Sequence, residues 1–252
     1  MKIAVISDMH SNLYALHSVA KDIQEQGIDE IYCLGDILGY GPHPSECFDF
    51  VTASSKGIVK GNHEDAMSSY STYDALNRMA QNGVAFSKKN ISQAMRDTAK
   101  QFPYIIELKQ HDIVLCHGSY TNPEEFNYIT SVRIAEKEIV KIPNRLCLVG
   151  HTHTPFVYGE KSGLFEFIKD DLVLFSEEKA LKDELEKYII NVGSVGQPRD
   201  GDCRSSYGVL EFKDDKVIFN LRRCFYDIEK TAQAIHATTL PDYLADRLFK
   251  GE

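Results

Sequence analysis

The chain has 252 residues, 43% hydrophobic and 26% charged, which excludes a disordered or fibrous protein and allows one large folded domain. A net charge of −9 excludes wrapping of long nucleic acid, which needs clustered Lys and Arg, while bound cations can still reverse the sign locally for a small anionic substrate. No charged leader opens the chain and no run reaches the ~18 apolar residues that span a bilayer, so a cytoplasmic protein without a membrane partner is expected.

In chain order, "KIAVIS", "DEIYCLG", "GIVKG", "HDIVLCHG" and "RLCLVG" are short β-rich apolar runs suited to strands covered on both faces. Between the first two, Leu13, Leu16, Val19, Ala20 and Ile23 recur at helical spacing, with Ser11 or Asn12 to cap the start and Gly27 the end. Strand, helix, strand is the unit of a parallel sheet. A second helix is predicted after Pro44, one or two more over 73–100, and another over 131–141. Beyond residue 155 the pattern changes to short alternating strands. "SYGVLEF" and "KVIFNLR" read as a hairpin around Asp214 and Asp215, and the chain ends as helix, break at Pro241, helix. The six cysteines have no CxxC spacing and mostly sit in apolar segments, the pattern of free thiols in a reducing compartment.

The five apolar runs end in "SDMH", "LGDILGYGP", "KGNHED", "CHGS" and "VGHTH". Ligands of an open α/β sheet bind beyond the carboxyl ends of its strands, so these residues are predicted to converge. Asp8 with His10, and His151 with His153, are i, i+2 pairs, which face one way on an extended chain. Singly, each motif also reads as a loop, a Gly turn or a helix cap. Jointly they do not, because five of the nine histidines (His10, His63, His117, His151, His153) fall at these ends beside Asp8, Asp36 and Asn62.

The set is too large for one zinc ion and lacks the thiolates of a structural zinc site. Mixed nitrogen and oxygen donors suit manganese, iron, zinc or nickel, and two shells sharing a carboxylate fit a pair of divalent transition metal ions acting on a phosphoryl group.

In this order, "DMH", "GD", "GNHE", "CHG" and "GHTH" resemble the signature of the calcineurin-like metallophosphoesterase superfamily over residues 8 to 153. The resemblance implies that Asp8, His10 and His153 hold one metal, that Asn62, His117 and His151 hold the second, and that Asp36 bridges. It implies that His63 stays off the metals and serves the leaving oxygen or the transferred phosphoryl group. The implied fold is a four-layer αββα sandwich, two mixed sheets packed face to face with flanking helices. "GDILGYGPHPSEC", "NVGSVGQPRDGDCRSSYGVLEF" and "LPDYLADRL" further resemble small prokaryotic members, some of them phosphodiesterases and diadenosine tetraphosphate hydrolases. One domain spanning 1–252 is therefore expected, with 66–115 and 156–187 as the stretches where substrate choice is written.

Three substrate contacts are expected. Arg199, in the glycine-rich loop 193–201, suits phosphate, and the loop's N–H groups suit an anion; Tyr40 and Tyr120 suit stacking on a nucleobase. The insertion over about 66–100 reads as a helical cap. The leading expectation is a metal-dependent hydrolase of small phosphodiesters or dinucleoside polyphosphates. The alternatives are a protein phosphatase or phosphomonoesterase, or a silent scaffold, which a full ligand set disfavours. The native metal, for which Mn²⁺ is the assay choice, and the oligomeric state are left open.

Overall fold

The structure is a computed structural model, and it describes residues 1–28, 30–160, 163, 165–167, 187–213 and 216–252. Its elements in chain order are β1 (Lys2–Ile6), α1 (Leu13–Glu25), β2 (Glu30–Cys33), α2 (Pro44–Ser54), β3 (Gly57–Ile58), α3 (Asn62–Ala66), α4 (Tyr70–Ala75), α5 (Arg78–Asn90) and α6 (Gln93–Gln101). There follow β4 (Ile105–Leu108), β5 (Ile113–Cys116), α7 (Val132–Ile139), β6 (Leu146–Val149), β7 (Phe156–Gly159), β8 (Phe165–Phe167) and β9 (Tyr188–Asn191). The chain closes with β10 (Ser205–Lys213), β11 (Lys216–Cys224), α8 (Ile228–His236) and α9 (Tyr243–Asp246).

The strands form two mixed sheets, five-stranded in the order β11-β10-β1-β2-β3 and six-stranded in the order β4-β5-β6-β9-β7-β8. β1 pairs in parallel with β2 through α1, and β5, β6 and β9 run parallel at the centre of the second sheet. Side-chain alternation explains the layering. On β1, Ile3 and Val5 enter the layer between the sheets with Leu115, Leu148 and Ile190, while Ala4 and Ile6 face Leu16, Val19 and Phe48 beneath α1 and α2. On the far side, Val114, Cys147 and Ile189 face Ala135 and Ile139 of α7. Helix, sheet, sheet, helix is thus the expected four-layer sandwich. Truncating a buried Leu in such a core costs about 2–5 kcal/mol.

Local sequence signals account for most boundaries. The side chain of Asn12 accepts a hydrogen bond from the N–H of Ala15 to start α1, and Gly27, at φ 62°, ends it in the left-handed region. Pro44 sits at the first turn of α2. The hairpin β10–β11 pairs throughout as expected, with Asp214 and Asp215 outside the described residues. The six cysteines are free thiols, five of them buried.

Two expectations are corrected. The "GIVKG" run yields only a two-residue strand, because Lys60 leaves the sheet to donate its N–H to the carbonyl of Pro103 and Gly61 is the N-cap of α3. The span 73–100 holds the two helices α5 and α6, as the upper of the two counts expected, but also the end of a third, α4, which starts ahead of it at Tyr70; Ser69, Asn77 and Ser92 each cap a start. Within the insertion, the N–H of Gly39 donates to the hydroxyl of Ser87, and Gly83 lies so close to the Tyr40 backbone that a Cβ there would collide with it. Ala80 also shares a buried cluster with Ile235, Leu244 and Leu248 of the C-terminal helices. The insertion is therefore tied both to the loop after β2 and to the chain's end. Most of 156–187, named above for substrate choice, lies outside the described residues.

Candidate metal centre

All five strand ends meet at one rim. Asp8 and His10 follow β1, Asp36 follows β2, Asn62 and His63 open α3, His117 follows β5, and His151 with His153 follow β6. Each of these eight side chains is buried.

The pairs converge for a different reason than extended-chain alternation. β1 ends at Ile6 and β6 at Val149, and the residues beyond them lie in the left-handed region: Asp8 at φ 55°, His10 at 47°, His151 at 65° and His153 at 60°. Asp36 (52°) and Tyr40 (51°) do the same. Each such residue stores on the order of 1–3 kcal/mol of strain, which the fold must offset, and strained backbone of this kind gathers at functional sites. Met9, between Asp8 and His10, is carried into the core by the same turn. Asn62 and His63 diverge not as extended neighbours but as consecutive residues of α3. The motif glycines are spacers: a Cβ on Gly61 would strike the Asp36 carboxylate, and one on Gly150 would strike Ser7 and Asp8.

Hydrogen bonds orient the donors. His10 Nδ1 lies 3.0 Å from the carbonyl of Leu38, His117 Nδ1 2.7 Å from that of Leu34, and His153 Nδ1 2.5 Å from that of Gln197. A carbonyl only accepts, so each Nδ1 carries a hydrogen and each Nε2 points inward, with a free lone pair on the uncharged His10 and His153. His10 Nε2 and His153 Nε2 then face each other at 3.0 Å, with Asp8 Oδ1 3.2 Å from the latter. On the other side, His117 Nε2 lies 3.1 Å from both Asn62 Oδ1 and His151 Nδ1, and 3.3 Å from Asp36 Oδ2. Asp8 Oδ2 is fixed by the Ser7 hydroxyl at 2.5 Å and the His151 N–H at 3.0 Å.

Asp8 Oδ1 and His151 Nε2 are buried without a hydrogen-bond partner. Converging lone pairs and orphaned carboxylate oxygens are expensive in a protein interior unless a cation sits among them. The donor atoms of Asp8, His10 and His153, of His10, Asp36 and His63, and of Asp36, His117 and His151 form three sets, each within 4.8 Å, so these residues fit metal binding.

Electrostatics follow the same geometry. Burial opposes ionisation of Asp8 and Asp36, but the facing imidazoles, His153 for the first and His117 for the second, hold both carboxyls below the usual range. Burial likewise opposes charge on His117, yet Asp36 holds it up at about 10. Burial pushes His63 down to about 4 and, with His117, His151 down to about 3. Glu64 is raised to about 7 by burial and by Asp36, against the hydrogen bonds it accepts from Leu38 and Asp36.

A cavity of about 200 Å³ opens over these donors, lined by Asp36, Asn62, His63, Tyr128, His151 and Arg199 and roofed by Leu76, Asn77 and Ala80 of the insertion. Arg199 reaches it with Nη2 on Gln197, its Nε buried and without a hydrogen-bond partner, and its guanidinium 5.7 Å from the centre of the Tyr40 ring.

Three expected substrate features sit differently. Tyr40 lines the cavity, but its ring packs edge-on against His10 and tilted against His63 and is only 6% exposed, too little for a base to stack on. Tyr120 packs against the buried cluster shared by β5, β6 and α7, and it is not among the residues lining the cavity. In the 193–201 loop the N–H groups of Val195 and Gly196 are already taken, donating to the carbonyls of Ser7 and Asp8 and bracing the ligand loop.

Sequence reasoning missed Glu64 and Tyr128. Glu64 accepts the N–H groups of Asp36, Leu38 and Gly61 at 2.8–3.1 Å, joining the second motif to the third, and its place at the end of "GNHE" was the available signal. Tyr128 stacks on His151 with ring centres 3.9 Å apart, and nothing in its local sequence announces that contact.

The fold and this rim define a class: a two-sheet α/β sandwich gathering His and Asp donors able to hold metal. The chain belongs to the calcineurin-like phosphoesterase superfamily, whose domain profile matches residues 1–215. It is similar to an uncharacterised protein of Methanocaldococcus jannaschii, 38% identical over 251 residues that cover 99% of this chain and 98% of that one. It is also similar to a metallophosphoesterase from Sphaerobacter thermophilus of known structure, 32% identical with a TM-score of 0.85 and covering 100% of this chain and 99% of that one. A hypothetical protein of Pyrococcus horikoshii shares the fold at a TM-score of 0.74 and 16% identity, covering 100% of this chain and 98% of that one. Among the described residues no helix is long and apolar enough to cross a membrane.

Proposed function

We propose that this protein is a cytoplasmic, binuclear metal-dependent phosphoesterase that hydrolyses small phosphodiesters or dinucleoside polyphosphates such as diadenosine tetraphosphate. The observation that carries the reading is the place of Asp36 Oδ2, 3.8 Å from His10 Nε2 and 3.3 Å from His117 Nε2, which supports a carboxylate shared between Asp8, His10 and His153 on one side and Asn62, His117 and His151 on the other. Two divalent cations bound there, of manganese, iron, zinc or nickel, would supply an activated water and charge neutralisation for the phosphoryl oxygens.

The chain's own residues do the rest. The Leu38 and Gln197 carbonyls keep the inward nitrogens of His10 and His153 free of hydrogen, so cation binding there displaces no Nε2 proton, whereas His117, held charged by Asp36, gives up its Nε2 proton when a cation binds. His63, uncharged at neutral pH and lining the cavity, offers a single N–H to a phosphoryl or leaving oxygen. Arg199 brings a guanidinium to the cavity wall, where its fork geometry suits a phosphate. Leu76, Asn77 and Ala80 roof the cavity, which favours small substrates over a protein phosphatase's peptide segment.

The test is a panel with Mn²⁺ covering nitrophenyl mono- and diesters, cyclic nucleotides, dinucleoside polyphosphates and phosphopeptides. Preferred hydrolysis of diesters or dinucleoside polyphosphates is expected. Preference for monoesters or phosphopeptides would move the protein to the corresponding phosphatase class, and no hydrolysis with any transition metal would leave the fold as a scaffold.

A further inference from the structure

Tyr128 belongs to two cavities at once. One is the roughly 200 Å³ space over the donors, and the other is an adjoining pocket of about 390 Å³ lined by Tyr128, Ile129, Thr130, Thr152, Thr154 and Phe156. The ring lies nearly parallel to His151, at 19° and 3.9 Å, so one of its faces is held. The side chain is nevertheless 52% exposed, an unusual fraction for an aromatic ring fixed in a site whose eight polar residues are all buried. Phe126, two residues earlier, lies buried 6.0 Å from His117 and 6.5 Å from His151, which anchors this stretch of chain from below.

We infer that Tyr128 is the shelf on which the base of a nucleoside phosphodiester stacks while its phosphoryl group occupies the donor cavity. The inference rests on the phosphoesterase reading and adds to it the chemistry of the ester arm. A base against Tyr128 enters a pocket walled by Ile129 and Phe156 and edged by threonine hydroxyls, suited to a planar ring with a polar rim. An alkyl arm gains nothing from the aromatic face. Stacking of this kind is sequence-tolerant, so the shelf sets a requirement for a base and not for one particular base.

The experiment compares thymidine 5′-(p-nitrophenyl phosphate) with methyl p-nitrophenyl phosphate under Mn²⁺; the two share a leaving group and differ in the retained arm. Wild type is expected to favour the nucleoside ester through KM. Tyr128→Ala is expected to cut the ratio of kcat/KM values by about 5- to 100-fold, while Tyr128→Phe preserves it. An unaltered ratio in Tyr128→Ala, or none favouring the nucleoside in wild type, overturns the shelf. So does a loss of kcat that is equal for both esters, which makes Tyr128 only a cover for His151. Saturation-transfer NMR on thymidine 5′-monophosphate supplies a readout apart from turnover. Transfer to the base protons in wild type and its loss in Tyr128→Ala support the shelf even if neither ester is hydrolysed, a result that would sink the phosphoesterase reading alone. Equal transfer to both proteins overturns the shelf.

Discussion

Asp36 Oδ2 lies 3.3 Å from His117 Nε2 and 3.8 Å from His10 Nε2, so a single carboxylate oxygen faces imidazoles delivered by strands of different sheets. Its other oxygen accepts the N–H of His63 at 2.9 Å, which leaves Oδ2 aimed between the two donor sets. Asp36→Asn keeps the shape and removes the charge that offsets two cations. Metal analysis of the purified variant should find both ions depleted, with activity reduced by at least 10²-fold, the scale of losing a principal electrostatic element. A full complement of metal in Asp36→Asn would contradict the shared role.

His63 sits within reach of Asp36, at 3.9 Å, yet its Nδ1 is buried with no hydrogen-bond partner and its ring borders the cavity. His63→Ala should therefore retain the metals and lose about two to four powers of ten in kcat, the range for a positioned proton-handling or charge-stabilising side chain. Because His63 also falls within 4.8 Å of the donors of His10 and Asp36, metal content is the deciding measurement. Stoichiometric loss of an ion would reassign His63 as a ligand.

The sequence carried the rim and its donors more legibly than it carried their backbone. Asp8, His10, Asp36, Asn62, His117, His151 and His153 could be placed together because strand ends and donor chemistry are local signals, whereas the sandwich came only from the resemblance of the motifs to a family, since apolar runs such as Ile3 to Ile6 announce strands covered on both faces and not how the sheets stack. The left-handed turns at Asp8, His10 and His151 were not legible, since Asp and His tolerate φ > 0 better than most residues but only the tertiary demand to fold over the rim selects it at these positions. Tyr40 and Tyr120 sit differently from expectation for one reason: proximity in sequence to a motif says which loop a ring is on, not which way it faces. Tyr128, outside every motif, has the exposed ring instead.

Glu64 spans the second and third motifs by accepting three backbone N–H groups, from Asp36, Leu38 and Gly61. Glu64→Ala orphans these donors in a buried setting, at about 1–3 kcal/mol for an unsatisfied group. The expected outcome is a Tm lower by roughly 2–12 °C for a chain of this size, together with weaker metal retention because Asp36 loses its anchor. Glu64→Gln, which keeps one accepting oxygen, should fall between the two. Thermal unfolding of the metal-free proteins isolates the structural part, and an unchanged Tm for Glu64→Ala would show that water replaces the carboxylate without cost.

Asp22 gives the fold a pH dependence separate from the metal centre. From α1 it accepts the Tyr207 hydroxyl at 2.5 Å and the Arg222 guanidinium at 3.0 and 2.8 Å, latching the helix to β10 and β11. Burial opposes the carboxylate, but the Arg222 and Tyr207 hydrogen bonds outweigh it and lower its pKa below the ordinary 3.8. A lowered folded-state pKa means that the stabilisation is complete above 3.8 and lost as pH falls from there through the folded value. Asp22→Asn should therefore be less stable than wild type by about 1–2 kcal/mol at pH 7, a modest figure because Arg222 is 32% exposed. The gap should narrow below pH ~4 as the wild-type carboxylate takes up its proton. Denaturant unfolding at pH 7 and pH 3 measures both differences, and a gap that stays constant across that range would show that the latch does not depend on the charge of Asp22.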